Sequence, residues 1–158
     1  MYDNLLRIKA HREQNAAQAV RRQQHVVEQQ ARAVQQARDE TVRFHEYRLR
    51  QEQQLFEEIK GKLVALRAIE DMNGNIAALR EQEALLETRI LDEEKRLKEA
   101  QKTLEELRQR HQAAIRECEK FNQFVEAQRA IELREQMKKE ETELEEIASA
   151  AHQARQEV

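Results

Sequence analysis

The side chains of this 158-residue sequence able to do chemistry are five histidines, one cysteine, one glycine-lysine pair and many adjacent glutamates. Each fails on spacing. His11, His25, His45, His111 and His152 form no i, i+4 pair around a glutamate, the arrangement by which one helix face holds a catalytic zinc. Gly61-Lys62 lacks the glycine five residues upstream and the following Ser or Thr of a phosphate-binding loop, since Phe56 and Leu63 stand there. Cys118 falls on an apolar stripe, where a thiol is buried and inert. Glutamate pairs such as Glu93-Glu94, Glu105-Glu106 and Glu145-Glu146 would need a cleft to serve as acid and base. They read as solvated faces. No catalytic residue, cofactor or metal site is expected.

Residues suited to binding another macromolecule are more informative. Tyr47 lies off the apolar stripe, close in sequence to Arg43, Phe44, Arg50 and Gln54, and tyrosine and arginine are enriched where partners dock. Arg7, Lys9, Arg12, Arg21 and Arg22 form a basic cluster near the N-terminus that would steer toward an acidic partner. Each has a plainer reading: Tyr47 as an incidental surface residue, the basic cluster as a counterweight to the acidic second half.

The elements that must position these residues follow from composition. Two glycines, no proline and 4% aromatics cannot supply the turns and bulky core of a β or α/β domain, and 37% charged residues among helix formers point to long helices. Disordered chains lack the regular apolar spacing seen here. Positions 86, 90, 93, 97, 100, 104, 107, 111, 114, 118, 121 and 125 alternate steps of four and three, and all but Glu93 and His111 are apolar. After a phase change the stripe continues through Ala130, Leu133, Met137, Leu144, Ile147 and Ala151. In the first half 16, 20, 23, 27, 30, 34, 37, 41 and 44 keep the same steps with smaller or amide side chains.

Met72-Asn73-Gly74-Asn75 is the one stretch that reads as a turn, with Gly74 ending one helix and Asn75 capping the next. The sequence therefore predicts an all-α fold of two long antiparallel helices in a single coiled-coil hairpin over 1–158: helix 1 about 3–71, turn 72–75, helix 2 about 76–155. Folding at Gly74 would set Phe44 against Leu104, Val34 against Ala114 and Val27 against Phe121. Leu55, Ile59, Leu63, Leu66 and Ile69 would then face Leu79, Leu86 and Ile90 in a well-packed tip, and the end carrying the termini would fray first. Gly61 reads as a mid-helix glycine costing about 1 kcal/mol.

The net charge of −3 divides into +3 for residues 1–70 and −6 for 71–158. Neither half carries a run of five like charges, so no nucleic-acid partner is expected. The longest apolar run, Leu63 to Leu66, is far short of the ~20 residues that span a bilayer, and no signal peptide follows Met1. With a lone cysteine, these features predict a soluble cytoplasmic protein.

Leu5-Leu6-Arg7-Ile8-Lys9, Arg12-Glu13-Gln14, Ala19-Val20-Arg21-Arg22-Gln23, Glu52 to Phe56, the Asn-rich segment followed by Leu79-Arg80-Glu81, and Glu119-Lys120-Phe121 together resemble the YscO branch of the FliJ/YscO proteins. That resemblance covers nearly the whole chain. It implies a non-enzymatic central stalk of a bacterial type III secretion system, similar in shape to the coiled coil of the rotary ATP synthase γ subunit. Such a stalk sits in the pore of the secretion ATPase hexamer and contacts the cytoplasmic ring of the export gate at the base of the apparatus; some members also bind secretion chaperones. By that analogy Arg43, Tyr47, Arg50, Gln54, Leu79, Arg80 and Glu83 would contact the export gate, and Lys9, Arg12, Arg21 and Arg22 the ATPase. A monomer is expected. Two rival readings are a homodimeric coiled-coil scaffold, or a chaperone-binding adaptor without ATPase coupling; a helical nucleic-acid-binding arm has only the basic first half to support it.

Overall fold

The computed structural model describes residues 2–157. Two helices make up the fold, α1 (Tyr2–Ile59) and α2 (Leu66–Gln156), packed antiparallel as a hairpin, with no strand among the described residues. Contacts group the chain into two compact units, Gln18–Arg108 and Met1–Ala17 with Gln109–Val158.

The turn is not where the asparagines stand. α1 ends at Ile59, and Gly61 adopts φ +70°, the left-handed conformation that a residue with a Cβ enters only under strain. The Lys60 amide still donates to the Phe56 carbonyl (3.1 Å), and the Lys62 amide donates to Ile59 (3.2 Å), closing the helix end. Gly74 lies inside α2 with no positive φ. The expected helix boundaries at 71 and 76 are thus corrected to 59 and 66. Asn-Gly-Asn permits a turn, but a helix also accommodates it at a cost of about 1 kcal/mol.

Moving the turn slides the whole pairing. Within residues 18–108 the Gln23 amide donates to the Ala100 carbonyl (3.0 Å) and Gln30 to the Glu93 carbonyl (3.0 Å) and carboxylate (2.5 Å). Arg38 pairs with Glu94 (2.8 Å) and Arg89 with Glu40 (3.3 Å). These bonds bracket a register in which Ala37 is level with about residue 90, where a Gly74 turn would set it level with 111. That slip of about three heptads leaves the phase of both stripes intact. Accordingly every stripe position from 16 to 44 and from 86 to 125 is buried or half-buried, while the pairings expected for Phe44, Val34 and Val27 give way. Val20, Val34, Ala37, Leu104 and Val125 are the buried apolar residues.

Among residues 2–17 and 109–157, the Tyr2 ring meets Phe124 edge-on (6.0 Å between centroids), Lys9 pairs with Glu117 (3.6 Å), and His111 pairs with Glu13 (2.8 Å). Arg129 to Asp3 (2.9 Å) lies last along α2 among the cross-helix ion pairs. Beyond it all of 129–157 is exposed, so the late stripe from Ala130 to Ala151 lacks the cover expected of it. The expected apolar tip also disappears, because Leu63 is fully exposed, Leu66 is 72% exposed and Ile69 is 36% exposed. With the reversal at Gly61 these residues sit in or just after the turn, with no facing helix to pack on.

Candidate functional site

A notch of about 310 Å³ lies between the helices, lined by Tyr47, Gln51 and Leu55 of α1 and Asn75, Ala78, Leu79 and Gln82 of α2. Its position follows from local geometry. Tyr47, Gln51 and Leu55 are four apart and share one face of α1; Asn75, Ala78, Leu79 and Gln82 share one of α2. The Tyr47 ring leans on Phe44 at 5.7 Å and stays 44% exposed, so it forms a wall rather than part of the seam. Apolar walls with amides at the rim suit a partner's apolar side chain together with its flanking peptide groups.

Beside the notch lies a charge network. Glu83, 9% exposed, accepts from His45 Nδ1 (2.5 Å) and pairs with the Arg48 guanidinium, and Glu52 accepts from Arg48 (2.9 Å) and Arg80 (3.0 Å). The His45 hydrogen bond first, and then the Arg48 charge, hold the Glu83 carboxyl below its ordinary value; Arg80 first and then Arg48 do the same for Glu52. Hydrogen bonding to Glu52 pushes Arg48 up. The network ties α1 residues 45, 48 and 52 to α2 residues 80 and 83, so it helps set the register of the hairpin.

Of the residues expected at the gate-contacting face, Tyr47 and Leu79 come together in the notch. Arg80 lies next to them with its side chain 65% exposed while bonded to Glu52. Arg43 lines a separate depression with Asp39 and Val42, and Arg50 and Gln54 are exposed on α1 outside the notch. Glu83 faces inward, bonded to His45 and Arg48. Sequence reasoning missed Gln51, Asn75, Ala78 and Gln82, because their side of the notch depends on register. It missed the His45–Glu83–Arg48 network for the same reason.

Of the basic candidates, Lys9 is partly covered, paired with Glu117 and 5.5 Å over the Phe121 ring, so it joins α1 to α2. Arg12, Arg21 and Arg22 are exposed, and among the described residues none of them forms an ion pair. Cys118 is half-buried, in sulfur contact with Asn122 (3.9 Å). No group of three metal-ligating side chains and no helix apolar enough to cross a membrane occurs among the described residues.

Two long helices packed antiparallel, with no strand among the described residues, define an all-α coiled-coil protein. The family described as type III secretion protein YscO matches residues 2–150, and this chain belongs to that family. It is similar to the crystal structure of type III secretion protein YscO from Vibrio parahaemolyticus, with 33% identity, 92% of each chain covered and a TM-score of 0.87. No curated protein matches it.

Proposed function

We propose that this YscO-family protein is a non-enzymatic central stalk, working as a single copy at the cytoplasmic base of a type III secretion apparatus and linking the secretion ATPase hexamer to the export gate. The observation that carries the reading is the hairpin itself: a pair of long helices in a chain with 37% charged residues, carrying an amide-rimmed notch beside Tyr47. A charged exterior lets the pair move in a pore without sticking, and the notch supplies a local anchor. Gate contact is assigned to Tyr47 and Leu79, with Arg43, Arg50, Gln54 and Arg80 around them, and ATPase contact to Arg12, Arg21 and Arg22. Binding of secretion chaperones belongs to the same proposal.

The test uses purified partners from the same system. Adding the protein to its secretion ATPase should raise hexamer formation and ATP turnover, and no stimulation would count against the stalk. Tyr47→Ala should leave the fold intact and weaken binding to the gate's cytoplasmic domain by about 1–2 kcal/mol. Unchanged affinity would move the contact away from the notch.

A further inference from the structure

The last part of α2 carries a coiled-coil seam with nothing on it. Leu133 (57% exposed), Met137, Leu144 (66%) and Ile147 follow the same four-and-three spacing as the covered seam upstream, yet all lie bare. Met137, Glu140, Glu141 and Leu144 surround a depression of about 230 Å³. Those positions, i, i+3, i+4 and i+7, are the four corners of the hole that receives a knob from a facing helix. The surface is thus shaped for a helix, and its charges say which one. Residues 129–139 hold Arg129, Arg134, Lys138 and Lys139 against Glu132 and Glu135, while 140–146 hold Glu140, Glu141, Glu143, Glu145 and Glu146 with no basic residue. A basic stretch followed at once by an acidic one is complementary to itself when reversed.

We propose that this arm pairs antiparallel with the arm of a second copy of the chain, through residues 130–147 of each. Leu133 of one copy lies level with Leu144 of the other, Ala130 with Ile147, and each Met137 enters the hole between Met137, Glu140, Glu141 and Leu144 opposite. Methionine suits that place because its flexible side chain fills irregular gaps, and the Glu140 carboxylate reaches past it to water. Arg134 then flanks Glu141 and Glu143 of the second copy, twice by symmetry. Competing arrangements are disfavoured by the same charges. Sliding by one heptad brings Glu141 onto Glu141 and Glu143 onto Glu143, and parallel pairing lays the five-glutamate stretch on itself. The pairing uses none of the residues assigned to the gate or the ATPase, and it is a property of the free protein that a single copy entering the stalk gives up, so its test does not depend on the stalk reading.

Sedimentation of the full chain over a concentration series tests it. The short interface should give a dissociation constant on the order of 10–100 µM, with the average mass rising from one chain toward two. Arg134→Glu alone and Glu141→Arg alone should each abolish the rise, and R134E/E141R in one chain should restore it. Mixing the two single variants should also restore it, because each then faces the opposite charge. Both residues are exposed, and unchanged circular dichroism confirms that the variants fold. A mass that stays at one chain throughout overturns the proposal and leaves the face to a different protein. A rise that both single variants retain overturns it too, placing self-association elsewhere.

Discussion

Residues 86–125 and 130–151 of α2 carry apolar side chains at the same spacing, and they meet opposite fates. Every stripe position in the first stretch is buried or half-buried; every one in the second is exposed. Composition does not separate them, for Leu144 and Ile147 are as apolar as Leu104 and Val125. The difference is the facing helix. Tyr2 and Asp3 of α1 meet Phe124 and Arg129, and among the described residues nothing covers α2 beyond them. Periodicity therefore says that a face is built for a helix, and the position of the turn decides whether that helix comes from the same chain.

The sharpest way to break this comparison is one truncation on each side. Leu104→Ala removes a side chain 7% exposed in the seam and should cost about 2–4 kcal/mol of stability, a transfer loss plus a partly uncollapsed cavity. Leu144→Ala, made at low concentration, should fall within about 0.5 kcal/mol of the parent, because the side chain loses no intramolecular cover. Urea midpoints of the two variants decide it. Equal losses would mean that the arm folds back on covered surface.

The two glycines sharpen the cause. Gly61→Ala places a Cβ at φ +70°; nothing lies within 4 Å of that Cβ, so the penalty is backbone strain alone, about 1 kcal/mol. Gly74→Ala, also in open space but inside a helix, should stabilise by about 0.5–1 kcal/mol. Thermal unfolding of both variants checks the signs. Were the reversal at Met72 to Asn75, they would exchange.

Much of the fold could be read from the sequence, since composition excluded everything but long helices and the spacing of 16–44 and 86–125 marked the buried faces residue by residue. Register could not. Gly74 and Gly61 were both competent to turn, and the reversals they would make differ in register by about three heptads, so either choice buries the same side chains. What separates them is pairing between distant residues: His45 and Arg48 meeting Glu83, and Glu52 meeting Arg80. Those contacts have no local signature. The candidate surface shares that fate. Tyr47 stood out as an aromatic off the seam and Leu79 as its neighbour by family likeness, yet the amides Gln51, Asn75 and Gln82 join them only in the observed register, which also turns Glu83 inward.

The smallest expected effect concerns the device that holds this register on the paired side and has no counterpart on the arm. Glu83 and Glu52 are held below the ordinary carboxyl value of 4.5 by their His45, Arg48 and Arg80 partners. Between that ordinary value and the lowered native one, the unfolded chain binds more protons than the folded chain, so stability rises with pH across that window. The network's contribution is complete above about pH 5 and fades as pH falls below 4.5 through the native values. Glu83→Gln should flatten this dependence in urea melts taken from about pH 6 down to 3.5, while amide exchange in residues 133–151 stays as fast as in the parent. A slope unchanged by the substitution would show that the acid sensitivity comes from elsewhere, and that the seam alone holds the helices in register.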